Sequence, residues 1–404
     1  MGIKIIDGGV CAAKGFKAGA VHSGMKKNPL KKDLALIVSD AMCNAAAVYT
    51  KNLVKAAPLY VTKDHLKDGK AKAVVVNAGN ANACAPNDML NANKEAEAAA
   101  KALGINPEDM VVASTGVIGQ ELNIKLIEDN IDKIELSYTG SEDASYAIMT
   151  TDTKVKTIAA EIEIDGVTCK IGGICKGSGM IHPNMGTMLC FVTTDCNISS
   201  EMLNKAIKDN VTKTFNRITV DGDTSTNDMC VILANGFAEN KEIKEEGEAF
   251  NTFKEAYKFV MEDLAKKISA DGEGASRLIT CTVKGAKDED TAEMLSKSVC
   301  SSSLTKAAMF GSDANWGRVI CAMGYSGAEF NTKDVVIEFA SADGSVKVCE
   351  KGMGLDFDED LAKKILTKDS IEINVSLFEG DGKATCWGCD LTYDYVKING
   401  DYRS

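Results

Sequence analysis

The sequence predicts an α+β fold in which layered sheets are flanked by helices, and two kinds of hydrophobic periodicity carry that prediction. In "TIAAEIEID", Ile158, Ala160, Ile162 and Ile164 fall on one face at period two. Ile371, Ile373, Val375 and Leu377 do the same in "SIEINVSL". Both are patterns of half-buried strands. In "EAFNTFKEAYKFVMEDLAKKI", Phe250, Phe253, Tyr257, Val260, Leu264 and Ile268 recur every three or four residues, which winds them onto one stripe of a helix. A second helix is predicted from Asp88 to Leu103 and stops at Gly104, a residue that enters the left-handed region without a Cβ penalty. No fixed repeat period runs through the chain, and the order of the strands does not follow from the pattern.

A chain of 404 residues with 45% hydrophobic side chains can bury a large core, and its length predicts two or three domains. The formal net charge of -12 argues against a nucleic-acid or anionic-membrane surface, both of which need clustered cations. Small-molecule chemistry is the expected class. The charge-rich stretches 239–248 and 284–293 are expected to be solvated loops or helix starts. The first ten residues contain no apolar core of a secretion signal, Ile6 stands where a myristoylation signal has Ser or Thr, and no apolar run approaches the ~18 residues of a membrane span. A cytoplasmic protein is expected.

Fourteen cysteines are scattered along the chain, which reads as reduced thiols and not a disulfide framework. Cys386 and Cys389 in "CWGC" form the single C-x-x-C, and the three histidines (His22, His65, His182) lie far from it in sequence. Two core or strand thiols are the expected reading there, ahead of a zinc or redox site. No metal is expected.

Five loops rich in Gly, Ser, Thr and Asn follow predicted strands: 74–84, 111–121, 176–180, 220–228 and 270–276. Each alone reads as an ordinary turn. Together they suggest a ligand site, because small polar residues let a ligand approach the backbone. "GGICKGSG" lacks the glycine frame of a phosphate loop, and no G-x-G-x-x-G opens a helix in a dinucleotide fingerprint.

The stretch "KGSGMIHPNMGTMLCFVTTD" runs a glycine-rich loop directly into a strand that Thr187 leads. No G-x-S-x-G elbow is present. His182 is the histidine nearest this loop, read either as a base or as a hydrogen-bonded loop residue. A threonine hydroxyl needs no histidine if its own α-amine, with a reference pKa near 8, takes the proton. That requires scission between Gly186 and Thr187, by attack of Thr187 Oγ on the Gly186 carbonyl and hydrolysis of the resulting ester. Glycine at 186 permits the bent backbone this attack needs. From these residues alone Thr187 stands either as that nucleophile or as an ordinary strand-leading threonine.

"VNAGNANAC", "ASTGVIG", "AIMTTDT", "KGSGMIHPNMGTML", "VDGDTSTND", "ADGEGA", "GSDANWGR" and "GCDLTYDYVKINGDYRS" closely resemble, in order and over nearly the whole chain, the ornithine acetyltransferase (glutamate N-acetyltransferase) family. The resemblance implies a self-processing enzyme of arginine biosynthesis, with an α chain of residues 1–186 and a β chain of 187–404 assembled as α2β2. It implies a helix–sheet–sheet–helix sandwich core with a smaller second lobe and N-terminal-nucleophile-like chemistry. The implied reaction moves acetyl from N2-acetyl-L-ornithine to L-glutamate through an acetyl-Thr187 intermediate. Some members also take acetyl-CoA as donor, and no other cofactor is implied.

Carried over by motif, Thr115 and Gly116 stabilise the oxyanion, and Thr153, Lys176, Thr187, Glu273, Asn399 and Ser404 bind substrate. The chain departs from the family pattern where Gly186 and His182 replace alanines, where Ser404 replaces threonine, and at Cys386. Two rivals remain at this level. One is an amidase or peptidase with the same nucleophile that delivers the acyl group to water; the other is a thiol or metal module on Cys386 and Cys389.

Overall fold

A computed structural model describes residues 2–183 and 188–400. Among the described residues, strands β1 (Lys4–Ile6), β2 (Phe16–Val21), β3 (Leu34–Tyr49), β4 (Lys70–Asn80), β5 (Met110–Val117), β6 (Lys156–Ile164), β7 (Val167–Lys176), β8 (Leu189–Thr194) and β9 (Met229–Ala234) form a nine-stranded mixed sheet. Its order is β1-β6-β7-β8-β9-β3-β4-β5, with β2 also paired to β3. The long β3 makes this possible. Its first half pairs β2 and β4, the register shifts between Val38 and Cys43, and residues 44–49 pair β9.

Side-chain alternation on these strands feeds three apolar clusters. Leu34, Leu36, Val75 and Val112 pack with Ala92, Ala96 and Ala99 of the helix Asp88–Leu103. Cys190, Val192, Cys230 and Ile232 pack with the helices Ser200–Val211 and Glu248–Ala270. The alternate residues from both halves of the sheet, among them Val74, Val76, Val111, Phe191 and Val231, share a third cluster. Such alternation is what period two dictates for strands buried on both faces.

The predicted elements fall where the patterns put them. The helix Asp88–Leu103 ends at Gly104 with φ 66°. The six apolar residues predicted on the stripe of Glu248–Ala270 are all fully buried, each contributing roughly 1.5–3 kcal/mol.

Strands β10 (Leu278–Ala286), β11 (Val336–Ser341), β12 (Gly344–Glu350), β13 (Met353–Gly354), β14 (Ser370–Ser376) and β15 (Gly382–Cys389) build a second, six-stranded sheet in the order β13-β12-β11-β14-β10-β15. Its core has Ile279, Val283, Phe339, Ile371 and Ile373 against Leu295 and Val299 of the helix Glu289–Ser301. The Thr219 N–H donates to the Trp387 carbonyl at 3.0 Å and ties this sheet to the first.

The stretch 284–293 was expected in loops or helix starts, and it divides: residues 284–286 finish β10, and the Asp288 side chain caps the next helix by accepting from Thr291 N–H. Glu289 and Glu293 are not idle surface charges, because both accept from the largely buried Arg217 guanidinium, at 2.7 and 2.8 Å. The two C-x-x-C thiols lie on β15 three residues apart, hence on opposite faces: Cys386 belongs to the second-sheet core and Cys389 to the cluster under Glu248–Ala270. Burial pushes them up to about 12 and about 11, so both stay protonated, and no cluster of metal-ligating side chains occurs among the described residues.

Candidate active site

The large sheet collects its polar loops at one place. A cavity of about 310 Å³ is lined by Thr115 and Gly116 from the end of β5, Lys176 from the end of β7, Gly179 and Met180, Ser225 to Asn227, Glu273 and Asn399. All but Asn399, on the helix Tyr393–Gly400, come from four of the five loops singled out in the sequence. The fifth, 74–84, lies behind Gly116: Asn227 Nδ2 donates to the carbonyls of Ala81 and Ser114, at 2.7 and 2.8 Å, and so clamps three loops together.

At the β4/β5 junction the ladder is irregular, with Asn80 opposite both Thr115 and Val117. Such a bulge re-aims the strand end. Gly116 has φ 139°, and a Cβ there would stand 2.3 Å from the carbonyl carbon of Gly79, so only glycine fits. Thr115 Oγ1 accepts from Lys176 Nζ at 3.4 Å, which leaves the hydroxyl proton for another acceptor in the cavity.

Beneath the cavity lies a buried ion cluster that the sequence reading missed. Lys156 Nζ sits 2.7 Å from Asp152 and 2.6 Å from Asp271, and all three are nearly inaccessible. Lys176 Nζ is 4.0 Å from Asp152. Burial alone would raise the Asp152 carboxyl, but the ammoniums of Lys176 and Lys156 and the Gly177 N–H outweigh it and hold that carboxyl well below the usual range. Burial would likewise lower Lys156, and its two carboxylates reverse the effect, leaving it raised. Asp271 then passes the constraint along: its carbonyl accepts from Ser178 Oγ at 2.6 Å, and Ser178 O accepts from the Glu273 N–H at 2.9 Å. The Glu273 carboxylate is positioned by Asn399 Nδ2 at 2.7 Å and by the missing side chain of Gly179, whose Cβ would lie 2.4 Å from its oxygens. The cavity therefore offers a cation at Lys176 and an anion at Glu273, a pairing suited to a zwitterionic ligand.

The structure brings Thr115, Gly116, Lys176, Glu273 and Asn399 together on this one cavity. Thr153 does not line it. That residue is exposed, its N–H and hydroxyl both donate to Asp271, and Thr150 and Thr151 face the cavity instead. Gly186, Thr187 and Ser404 lie outside the described residues. Their nearest described neighbour on the strand side is Met188. It lines a small recess with Thr115, Lys176 and Asn227, and its carbonyl accepts from Met229 N–H at 2.9 Å. Antiparallel pairing puts Leu189 opposite Lys176.

His182 is not poised as a base. Burial, with Lys297 adding to it, lowers the imidazole to about 4, and Nδ1 is 3.0 Å from Thr219 Oγ1. Asp152 and Lys156 had a faint signal in their i, i+4 spacing; Asp271 had none, standing 115 residues from Lys156.

A family model described as the ArgJ family matches residues 17–404. The chain belongs to the ArgJ family. Among ArgJ relatives, the arginine biosynthesis bifunctional protein ArgJ of Caldanaerobacter subterraneus subsp. tengcongensis is 47% identical over 100% of both chains. The arginine biosynthesis bifunctional protein ArgJ 1 of Clostridium acetobutylicum is 50% identical over 96% of each. The crystal structure of arginine biosynthesis bifunctional protein argJ from Bacillus halodurans aligns with TM-score 0.50 at 46% identity, covering 52% of this chain and 98% of that one.

Proposed function

We propose that the chain is a self-processing acetyltransferase that moves acetyl from N2-acetyl-L-ornithine to L-glutamate, the reaction that its likeness to arginine biosynthesis ArgJ proteins supports. Thr187 Oγ attacks the Gly186 carbonyl, the C–N bond breaks, water hydrolyses the ester, and the freed α-amine becomes the base for the same hydroxyl. The products are an α chain of 1–186 and a β chain of 187–404, paired as α2β2 in the cytoplasm. The Bacillus halodurans chain, matched over 98% of its length yet covering 52% of this one, has the size of one such product.

In the transfer itself, Thr187 Oγ adds to the acetyl carbonyl, and Thr115 and Gly116 donate to the oxyanion, about 3 kcal/mol for each donor. Ornithine leaves with a proton. The glutamate amine then attacks the acetyl ester and releases N-acetylglutamate, returning the hydroxyl proton. Lys176 holds a substrate carboxylate and Glu273 an ammonium, Asn399 and Ser404 complete the substrate shell, and Thr153, whose N–H and hydroxyl both donate to Asp271, acts from outside the cavity. The surrounding core reads as a helix–sheet–sheet–helix sandwich, an arrangement supported by the shared cluster between the two halves of the large sheet.

The observation that carries this reading is that Met188, the residue following Thr187, shares a recess with Thr115 and Lys176. Thr187→Ala tests it. We expect one uncut chain on denaturing gels and by intact mass, with no N-acetylglutamate formed; a cut and active variant sinks the assignment. Free acetate in place of N-acetylglutamate from the wild-type protein would instead establish an amidase.

A further inference from the structure

The chain on either side of residues 184–187 is held by hydrogen bonds to its backbone. On the trailing side the Met188 carbonyl accepts from the Met229 N–H, and β8 begins at Leu189 between β7 and β9. On the leading side the grip is denser. Asp221 accepts from the N–H groups of Met180 and Ile181, at 2.6 and 2.9 Å. The Val220 N–H donates to the Ile181 carbonyl at 2.7 Å, and the Thr224 hydroxyl donates to the His182 carbonyl at 2.8 Å. Lys297 completes the row: its Nζ donates to the Pro183 carbonyl at 3.0 Å and to the Asn216 carbonyl at 2.7 Å.

Lys297 is an odd choice for cohesion alone. It stands on the helix Glu289–Ser301, whose apolar residues pack the second sheet, and reaches across to loops of the first. Burial lowers its ammonium, and among the described residues it pairs with no carboxylate, since Glu293, one turn earlier, is taken by Arg217. A covered cation spent on two carbonyls is a costly way to tie a helix down. It is an effective way to fix a carbonyl, because a bond from an ammonium is stronger than a neutral one. Neither Lys297 nor Thr224 lines the cavity of Thr115 and Lys176.

We infer that Lys297 is a positioning residue for self-cleavage: with Asp221 and Thr224 it fixes the chain that leads into the Gly186–Thr187 bond, and it takes no part in acetyl transfer afterwards. The inference rests on the self-processing reading and names what orients that step. The bond from Thr187 Oγ to the Gly186 carbonyl carbon forms, the C–N bond breaks, and the hydroxyl proton goes to the new amine; water then hydrolyses the ester. An intramolecular attack of this kind depends on orientation, and a misplacement of ~1 Å costs about a hundredfold in rate.

The half-time of scission in freshly translated full-length chain, followed by intact mass, is the measurement. Lys297→Met should lengthen it about tenfold or more, Lys297→Arg should bring it back to within about threefold, and Thr224→Val, which removes one neutral bond, should lengthen it about threefold. Transfer kcat and KM per cut molecule should stay within about twofold of wild type in all three. A merely structural lysine would lower the unfolding midpoint of Lys297→Met and leave the half-time of its folded fraction unchanged. That result overturns the inference, as does a transfer kcat that falls in step with scission. Should Lys297→Met fail to fold, scission of Thr224→Val at the wild-type rate overturns it as well. A wild-type chain that never cuts removes the self-processing reading and this inference together, whereas a wild type that cuts no faster than Lys297→Met removes the inference alone.

Discussion

The two sheets of this molecule are built on opposite principles. Between Leu278 and Cys389 the one fully charged side chain that is buried is Lys306, which donates to the Val220 carbonyl. The nine-stranded sheet and its loops bury Asp33, Asp152, Lys156, Lys176, Asp195, Asp271 and Glu273. Burying charge is costly unless it is paired, so a protein concentrates it where orientation matters more than stability. The second sheet contributes cohesion, and the first sheet spends some of its own to hold fixed charges beneath a cavity.

The sharpest way to break this contrast is Lys156→Met. It leaves Asp152 and Asp271 facing each other without their shared cation, and unpairing a buried ion of this kind costs about 3–5 kcal/mol. Denaturant unfolding should show that loss, and acetyl transfer should fall even in the fraction that stays folded, because Glu273 is positioned through Asp271 and Ser178. Retained stability would mean that the cluster is not a linked unit.

Ile373→Ala in the second sheet should also be expensive, about 2–5 kcal/mol for a fully buried isoleucine. Here kcat per folded molecule should not move. A change in kcat would show that the two sheets are mechanically coupled.

The smallest effect is in the pH dependence. His182 has a folded pKa lowered to about 4, so from about 6.5 downward the unfolded chain takes up a proton that the folded chain refuses. Stability is therefore lost as pH falls through that window. His182→Asn should remove up to about one proton of slope between pH 6.5 and 4, read from denaturant midpoints across pH. Asp152 behaves in the same sense at a lower pH: its depressed carboxyl stabilises the fold above about 4 and ceases to do so as acid approaches its folded value. A slope unchanged in His182→Asn would place the acid sensitivity in the ion cluster alone.

Much of the architecture was legible because it is local. Gly104 ends its helix, and the six apolar residues of 248–270 share a stripe, for reasons contained within a few turns of chain. The convergence of the small-residue loops was also readable as composition. What the sequence did not disclose depends on long-range partners: Asp271 reaching Lys156, Asn227 clamping Ala81 and Ser114, and Arg217 recruiting Glu289 and Glu293 from a stretch that looked like mere solvated charge. "CWGC" shows the reverse case, in which a suggestive spacing is cancelled by the strand it lies on, since period two turns its thiols apart.

The pairing of β7 with β8 has one more consequence. Residues from before position 184 and after position 187 alternate through a single ladder, with Ile171 opposite Thr194 and Lys176 opposite Leu189, while β8 also lies parallel to β9. A nick in the connecting segment would free two termini and release nothing else. The fragments would stay interlocked like the teeth of a closed zipper, and parting them would demand denaturation of the entire body.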